Sequence, residues 1–171
     1  MMIETTRLIL IPADEHLLRS AIQGSDSLSH ELRCRVSPDW TEFGTAPLEH
    51  SLKMLELSKD EKGWGTYFPI HKTDRRLIGS CGYKGRPTVE GAVELGYEVA
   101  PEYRLKGIGA ELVKGLMENA FRFDSVLKIV AHTLPSESAS TSILKKLNFR
   151  KTAELNDPED GLIWRWEKLR T

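Results

Sequence analysis

The stretch that decides the reading of this chain is residues 99–110, VAPEYRLKGIGA. An alternating run over 92–99 reads as a strand and stops at Pro101, whose ring removes a hydrogen-bond donor. A tight turn follows, and a helix begins near Gly107. The first N–H groups of a helix have no internal partner and point outward. With the positive end of the helix dipole they form a ready anion site. Gly107 and Gly109 place no Cβ between a ligand and the main chain, while Arg104 and Lys106 add cationic donors beside the turn. A phosphate or diphosphate suits such a corner; the competing reading is a turn whose glycines only relieve crowding. Two common phosphate motifs do not fit. A P-loop needs Gly-Lys-Ser/Thr, but Ala110 and Glu111 follow Gly109. The dinucleotide pattern GxGxxG fails because Leu112 occupies its third glycine position.

Composition narrows the surroundings. The 171 residues carry 24 Lys and Arg against 25 Asp and Glu, a formal net charge of -1. That balance argues against a surface built to neutralise nucleic-acid phosphates. A 40% hydrophobic content supports a core. No apolar run approaches the ~20 residues of a membrane span, and the first residues show no signal-peptide core. Cys34 and Cys81 form no CxxC pair, and the five histidines have no metal-ligand spacing. A soluble, cytoplasmic, metal-free single domain is the expectation.

Working outward, the hydrophobic period switches between 2 and 3.6, the mark of a mixed α/β domain. Strands are expected over 6–12, 64–71, 77–84, 92–99, 125–133, 150–155 and 162–169. Helices are expected over 14–24, 27–36, 47–59, 107–123 and about 137–147. The segment 37–46 is a loop carrying Trp40 and Phe43. Trp164 and Trp166 share a face of the last strand, where burial is the default.

The spacing Val99-x-Pro101-x-Tyr103-Arg104-x-x-Gly107-x-Gly109-Ala110 resembles the acetyl-CoA motif of the GNAT superfamily of N-acetyltransferases. Further stretches follow in the family's order: Thr6-Arg7-Leu8-Ile9-Leu10, Leu77-Ile78-Gly79 with Gly82, Glu94-Leu95-Gly96-Tyr97, and Ser140 through Phe149. These resemble the subgroup that acetylates ribosomal-protein N-termini (RimJ/RimL-like). The resemblance implies one N-acetyltransferase domain over residues 1–171. Its fold would be α/β, a splayed and predominantly antiparallel sheet with helices on both faces. Acetyl-CoA would sit in the splay as co-substrate. The N–H groups of Leu105, Lys106, Gly107, Ile108, Gly109 and Ala110 would hold the diphosphate, and the main chain of Tyr97 and Val99 the pantetheine arm. The partner would be an amine, a peptide N-terminus or a small molecule, acetylated by a monomer or homodimer without nucleic acid or membrane.

Transfer needs a neutral amine. Deprotonating a lysine-type amine at pH 7 costs roughly 4–5 kcal/mol, and an α-amine about 1 kcal/mol. Strand alternation puts Glu94, Gly96 and Glu98 on one face, and a carboxylate face is unlike core packing. Glu94 is the expected base, with a solvated carboxylate as the competing reading; Glu98 is expected to be electrostatic or solvated. The tyrosine acid common in the family falls on Leu144 here, so Ser140 is the remaining candidate for protonating the thiolate, or else a helix-capping serine. Glu137 stands where the family has an asparagine facing the cofactor arm. Lys145 and Lys146 are candidates for a 3′-phosphate, or simply solvated. His132 is read as packed or hydrogen-bonded, Cys81 as buried, and Trp40 and Phe43 as shaping the acceptor side or packing on the surface. The rival function is an acyl-CoA-binding regulatory module with little catalysis.

Overall fold

A computed structural model describes residues 1–171, apart from the side chain of Asp60. The strands are β1 (Ile3–Glu4), β2 (Leu8–Pro12), β3 (Thr66–His71), β4 (Arg76–Leu77), β5 (Gly79–Tyr83), β6 (Ala92–Val99), β7 (Lys128–Thr133), β8 (Arg150–Asp157) and β9 (Gly161–Leu169). The helices are α1 (Glu15–Gln23), α2 (Ser25–Leu32), α3 (Ala46–Leu57), α4 (Ile108–Ala120) and α5 (Ala139–Lys146). Asp14 caps α1 by accepting from the Leu17 N–H, and Gly24 ends it.

The strands form one open sheet in the order β1-β2-β3-β5-β6-β7-β9-β8, with β4 also paired to β3. Every pairing is antiparallel except β6 with β7. Helices cover both faces, because neighbouring side chains of a strand point oppositely. Tyr67 joins a core with α4 and α5 residues such as Leu112, Leu116 and Leu144. Phe68 joins a second core with Leu18, Leu28, Leu48 and Trp40 from the α1–α3 layer. Trp40 therefore packs inside, edge-on to Phe68 at 5.8 Å, whereas Phe43 stays exposed.

Three differences from the sequence expectations have physical causes. The expected strand over 77–84 is broken into β4 and β5. Its partner residue Pro69 accepts from the Ile78 N–H but has no N–H to return, and at Gly79 the chain runs so close to β6 that a Cβ would lie 2.1 Å from the Glu98 carbonyl oxygen. The short β1 escapes a sequence reading because it exists only through its pairing with β2. The last helix starts at Ala139 because Ser138, not Ser140, is its cap, in a reciprocal box with Thr141.

Candidate active site

Two strands lie side by side and then part. The parallel pairing of β6 and β7 runs through Ala92↔Lys128, Val93↔Ile129 and Glu94↔Val130, and goes no further. Beyond that point β6 stays paired to β5 through Val99, while β7 stays paired to β9 through Thr133. The result is a wedge between residues 95–99 of β6 and the end of β7.

The hydrogen-bond phase fixes which groups face this wedge. Lys84 N–H donates to the Glu94 carbonyl, and Ala100 N–H donates to that of Ile78. Alternation then turns the main chain of Gly96 and Glu98 toward β5, and that of Tyr97 and Val99 into the wedge. The Val99 carbonyl already accepts from Arg104 Nε at 2.7 Å. Tyr97 keeps both main-chain groups for a ligand laid against β6, and Val99 keeps its N–H.

At the wide end of the wedge lies the turn before α4. Leu105 and Gly107 both hold positive φ, 59° and 74°, a local conformation that turns successive N–H groups toward one concavity. Among the described residues, none of the N–H groups from Leu105 to Ala110 has a hydrogen-bond acceptor, whereas Glu111 N–H reaches the Gly107 carbonyl. A row of free amides at a helix start, opening onto an unpaired strand edge, fits a diphosphate followed by an extended amide-bearing arm.

The side chains around this turn do other things than the sequence suggested. Arg104 spans from Val99 to Glu42 Oε1, 2.7 Å from its Nη2. Lys106 Nζ folds back on the Glu102 carbonyl at 2.7 Å. Gly109 is buried, and its missing Cβ is replaced by Ile143 Cδ1, which would lie 2.7 Å away. Its role is to let α5 approach α4. The turn is instead fastened by residues the sequence reading left without a role. Glu111 accepts from Thr5 Oγ1 and Arg7 N–H at 2.6 Å, and from Arg7 Nε at 2.7 Å. Arg7 Nη1 continues to the Lys106 carbonyl at 2.9 Å. Burial raises the Glu111 pKa, but Thr5 and Arg7 outweigh it and hold the carboxyl below its ordinary range.

On the opposite sheet face, Glu94, Gly96 and Glu98 line the wedge, as alternation requires. Glu98 is a fastening rather than a solvated charge. It accepts from Ser80 Oγ at 2.9 Å, Thr41 Oγ1 at 2.6 Å and Glu42 N–H at 3.1 Å, pinning the 37–45 loop onto β6. Glu94 Oε1 meets Lys84 Nζ at 2.6 Å and His132 Nδ1 at 2.9 Å. Burial opposes its charge, yet Lys84 and His132 prevail, so Glu94 titrates below its ordinary range. Gly96 carries no side chain between these groups, and a Cβ there would meet only Lys84 Cε at 3.7 Å.

From the α5 side, Ser140 sits half-buried in the first turn, and its hydroxyl has no partner among the described residues. The Tyr97 hydroxyl lies 3.5 Å from the Ser140 carbonyl. Leu144 is fully buried in the core. Lys145 is held by Glu137 at 2.6 Å, while Lys146 is exposed. No group of His, Cys, Asp and Glu suited to a metal ion occurs among the described residues.

A splayed mixed sheet with free amides at the helix following the splay defines an acyl-CoA-using transferase fold. The chain belongs to the acetyltransferase (GNAT) domain family, which matches residues 7–150, and is an N-acyltransferase of that family. YjdG of Bacillus subtilis (strain 168), an uncharacterized N-acetyltransferase, is 27% identical over 158 residues, 90% of this chain and 94% of that protein. Among solved structures, RimL, a ribosomal L7/L12 α-N-protein acetyltransferase in complex with coenzyme A, superposes with a TM-score of 0.71 at 17% identity. That match covers 99% of this chain and 98% of RimL. The ribosomal-protein-S5-alanine acetyltransferase of Vibrio fischeri gives a TM-score of 0.70 at 16% identity, covering 99% of this chain and 96% of that one. The fold is thus that of the RimJ/RimL-like neighbours, and no helix among the described residues is long and apolar enough to cross a membrane.

Proposed function

We propose that residues 1–171 act as one domain that moves an acetyl group from acetyl-CoA to a primary amine by direct attack on the thioester. The observation that carries this reading is the meeting of the free N–H row from Leu105 to Ala110 with the unpaired Tyr97 and Val99 edge. In this reading the amides bind the diphosphate, Tyr97 and Val99 pair with the pantetheine arm, and the thioester lies at the narrow end of the wedge near Glu94. Amine enters from the face of Glu94, Gly96 and Glu98. Proton removal occurs at the centre built around Glu94, and the unpartnered Ser140 hydroxyl protonates the departing thiolate.

The acceptor class we favour is a peptide α-amine, over a small-molecule amine. An α-amine needs little help in losing its proton, which suits a Glu94 whose carboxylate is already engaged by Lys84 and His132. The names of the structural neighbours point the same way.

The test is thiol release from acetyl-CoA across a panel of alanine- and serine-leading peptides, polyamines and aminoglycosides. Turnover with the peptides is expected. Tight coenzyme binding with no thiol release from any amine would instead support a regulatory acyl-CoA-binding module.

A further inference from the structure

We infer that His132 takes the proton from the attacking amine, through Nε2, with Glu94 as its positioning residue. The inference deepens the acetyl-transfer reading and rests on it. It begins with where β6 and β7 separate. The last pair is Glu94↔Val130, and continuing that register would bring His132 opposite Gly96. His132 thus stands on the far wall of the wedge, one alternation beyond its apex and on the sheet face of Glu94.

The contact between these walls is specific. His132 Nδ1 lies 2.9 Å from Glu94 Oε1, with the two side chains 19% and 28% exposed. Lys84 Nζ approaches the same oxygen at 2.6 Å. An ionised carboxylate can only accept, so the imidazole donates from Nδ1 and leaves the lone pair on Nε2. A carboxylate holding a lysine and an imidazole N–H has its charge stabilised and is a weaker base for it. The other ring nitrogen of His132 has no such engagement among the described residues.

The other charged groups on this face are occupied with one another. Glu167 of β9 accepts from Arg165 Nε at 2.9 Å and lies 3.4 Å from Lys128 Nζ. Asp157 of β8 feels Lys84 and His132 from a distance, but its oxygen takes the N–H groups of Glu159 and Asp160. Glu98 is consumed by the 37–45 loop. Glu94 alone among them touches the ring.

The step balances as follows. The amine nitrogen forms a bond to the thioester carbonyl carbon while its proton passes to Nε2. The C–S bond breaks, coenzyme A leaves with that electron pair, and the thiolate takes the Ser140 hydroxyl proton. The imidazolium releases its proton to water, and water restores that of Ser140. Glu94 stays ionised throughout and stabilises the imidazolium, as an orienting carboxylate does in other dyads.

Long-range ¹H–¹⁵N NMR of the full-length protein reads the tautomer directly, with the His132 resonances assigned by their loss in His132→Ala. The expected neutral form carries its proton on Nδ1 and shifts toward Nε2–H in Glu94→Ala. A wild-type ring protonated on Nε2 overturns the inference. In parallel, His132→Ala is assayed with an alanine-leading tripeptide amide. A fall in kcat of about 10²-fold or more, unchanged acetyl-CoA affinity by calorimetry and partial recovery with added imidazole are expected. An unchanged kcat, or a loss that imidazole does not relieve, overturns it. Wild-type protein that fails to bind acetyl-CoA would instead defeat the acetyl-transfer reading itself.

Discussion

Arg7 and Glu111, separated by 104 residues, are joined twice: Glu111 takes the Arg7 main-chain N–H at 2.6 Å and its Nε at 2.7 Å. This fastening ties the start of β2 to the first turn of α4, and through Arg7 to the Lys106 carbonyl. The scaffold of the proposed anion site is therefore a tertiary clamp.

Glu111→Gln keeps the shape but removes the charge, and costs about 2 kcal/mol, the range for a hydrogen-bonded charged group. The folded-state pKa of Glu111 is depressed. Its stabilisation is therefore complete above the unfolded-state value and is lost as pH falls through the folded one. Urea melts at neutral and acid pH check both parts: the variant and wild type should differ at pH 7, and the difference should shrink progressively once pH falls below the unfolded-state carboxylate value of about 4.3. A difference that persists undiminished into acid would contradict the clamp.

At Gly107, φ is 74° and a Cβ would lie 3.5 Å from Arg7 Nη2. Gly107→Glu should fold with a loss of about 1 kcal/mol for the left-handed backbone. Its carboxylate would then occupy the corner proposed for the diphosphate. Calorimetry should show acetyl-CoA affinity at least ~10²-fold weaker, equivalent to about 2.7 kcal/mol. Native affinity in a folded Gly107→Glu protein would exclude this corner as the diphosphate seat.

Gly96→Val tests the acceptor side separately. The nearest atom to its Cβ is the mobile end of Lys84 at 3.7 Å, so the sheet should tolerate it within about 1 kcal/mol. The branched side chain would stand on the sheet face that carries Glu94 and Glu98, where the amine is proposed to enter. A raised KM for the amine with unaltered acetyl-CoA affinity is expected; the reverse pattern would put the acceptor elsewhere.

Gly79→Ala belongs to another category, because its Cβ would lie 2.1 Å from the Glu98 carbonyl oxygen, a main-chain atom. Neither strand can yield without shifting Glu98 and the loop that it holds. A loss of about 3 kcal/mol or more is expected, measurable as a lowered denaturation midpoint. Near-native stability would mean that the break between β4 and β5 is not needed for the close approach.

How much of this was legible in sequence depended on whether a residue's partner was near in the chain. The strand Ala92–Val99 matched its expected bounds, because alternation and Pro101 are local signals. The amphipathic stripe of α4 was equally plain, with Leu112, Val113 and Leu116 fully buried. The turn at 104–110 was legible as a helix start with free amides, but the individual tasks of Arg104, Lys106 and Gly109 were not. Those tasks are set by Glu42, by the Glu102 carbonyl and by Ile143, none of which the motif itself specifies. His132 was read as packed or hydrogen-bonded, and it is hydrogen-bonded, but its partner was not legible for the same reason. Its partner Glu94 is 38 residues away and arrives only through the one parallel pairing of the sheet. The signal that could have found it was a histidine at the same alternation phase as Glu94 on the neighbouring strand.

The double engagement of Arg104 has a kinetic corollary. One guanidinium holds both the Val99 carbonyl, at the seat proposed for the pantetheine arm, and Glu42, in the segment that borders the amine entrance. A pantetheine amide N–H that claimed that carbonyl would displace Arg104 Nε and slacken the hold on Glu42 at the same stroke. Substrates would then queue in a compulsory sequence, nucleotide donor before nucleophile, with the latch resetting only after free coenzyme departs.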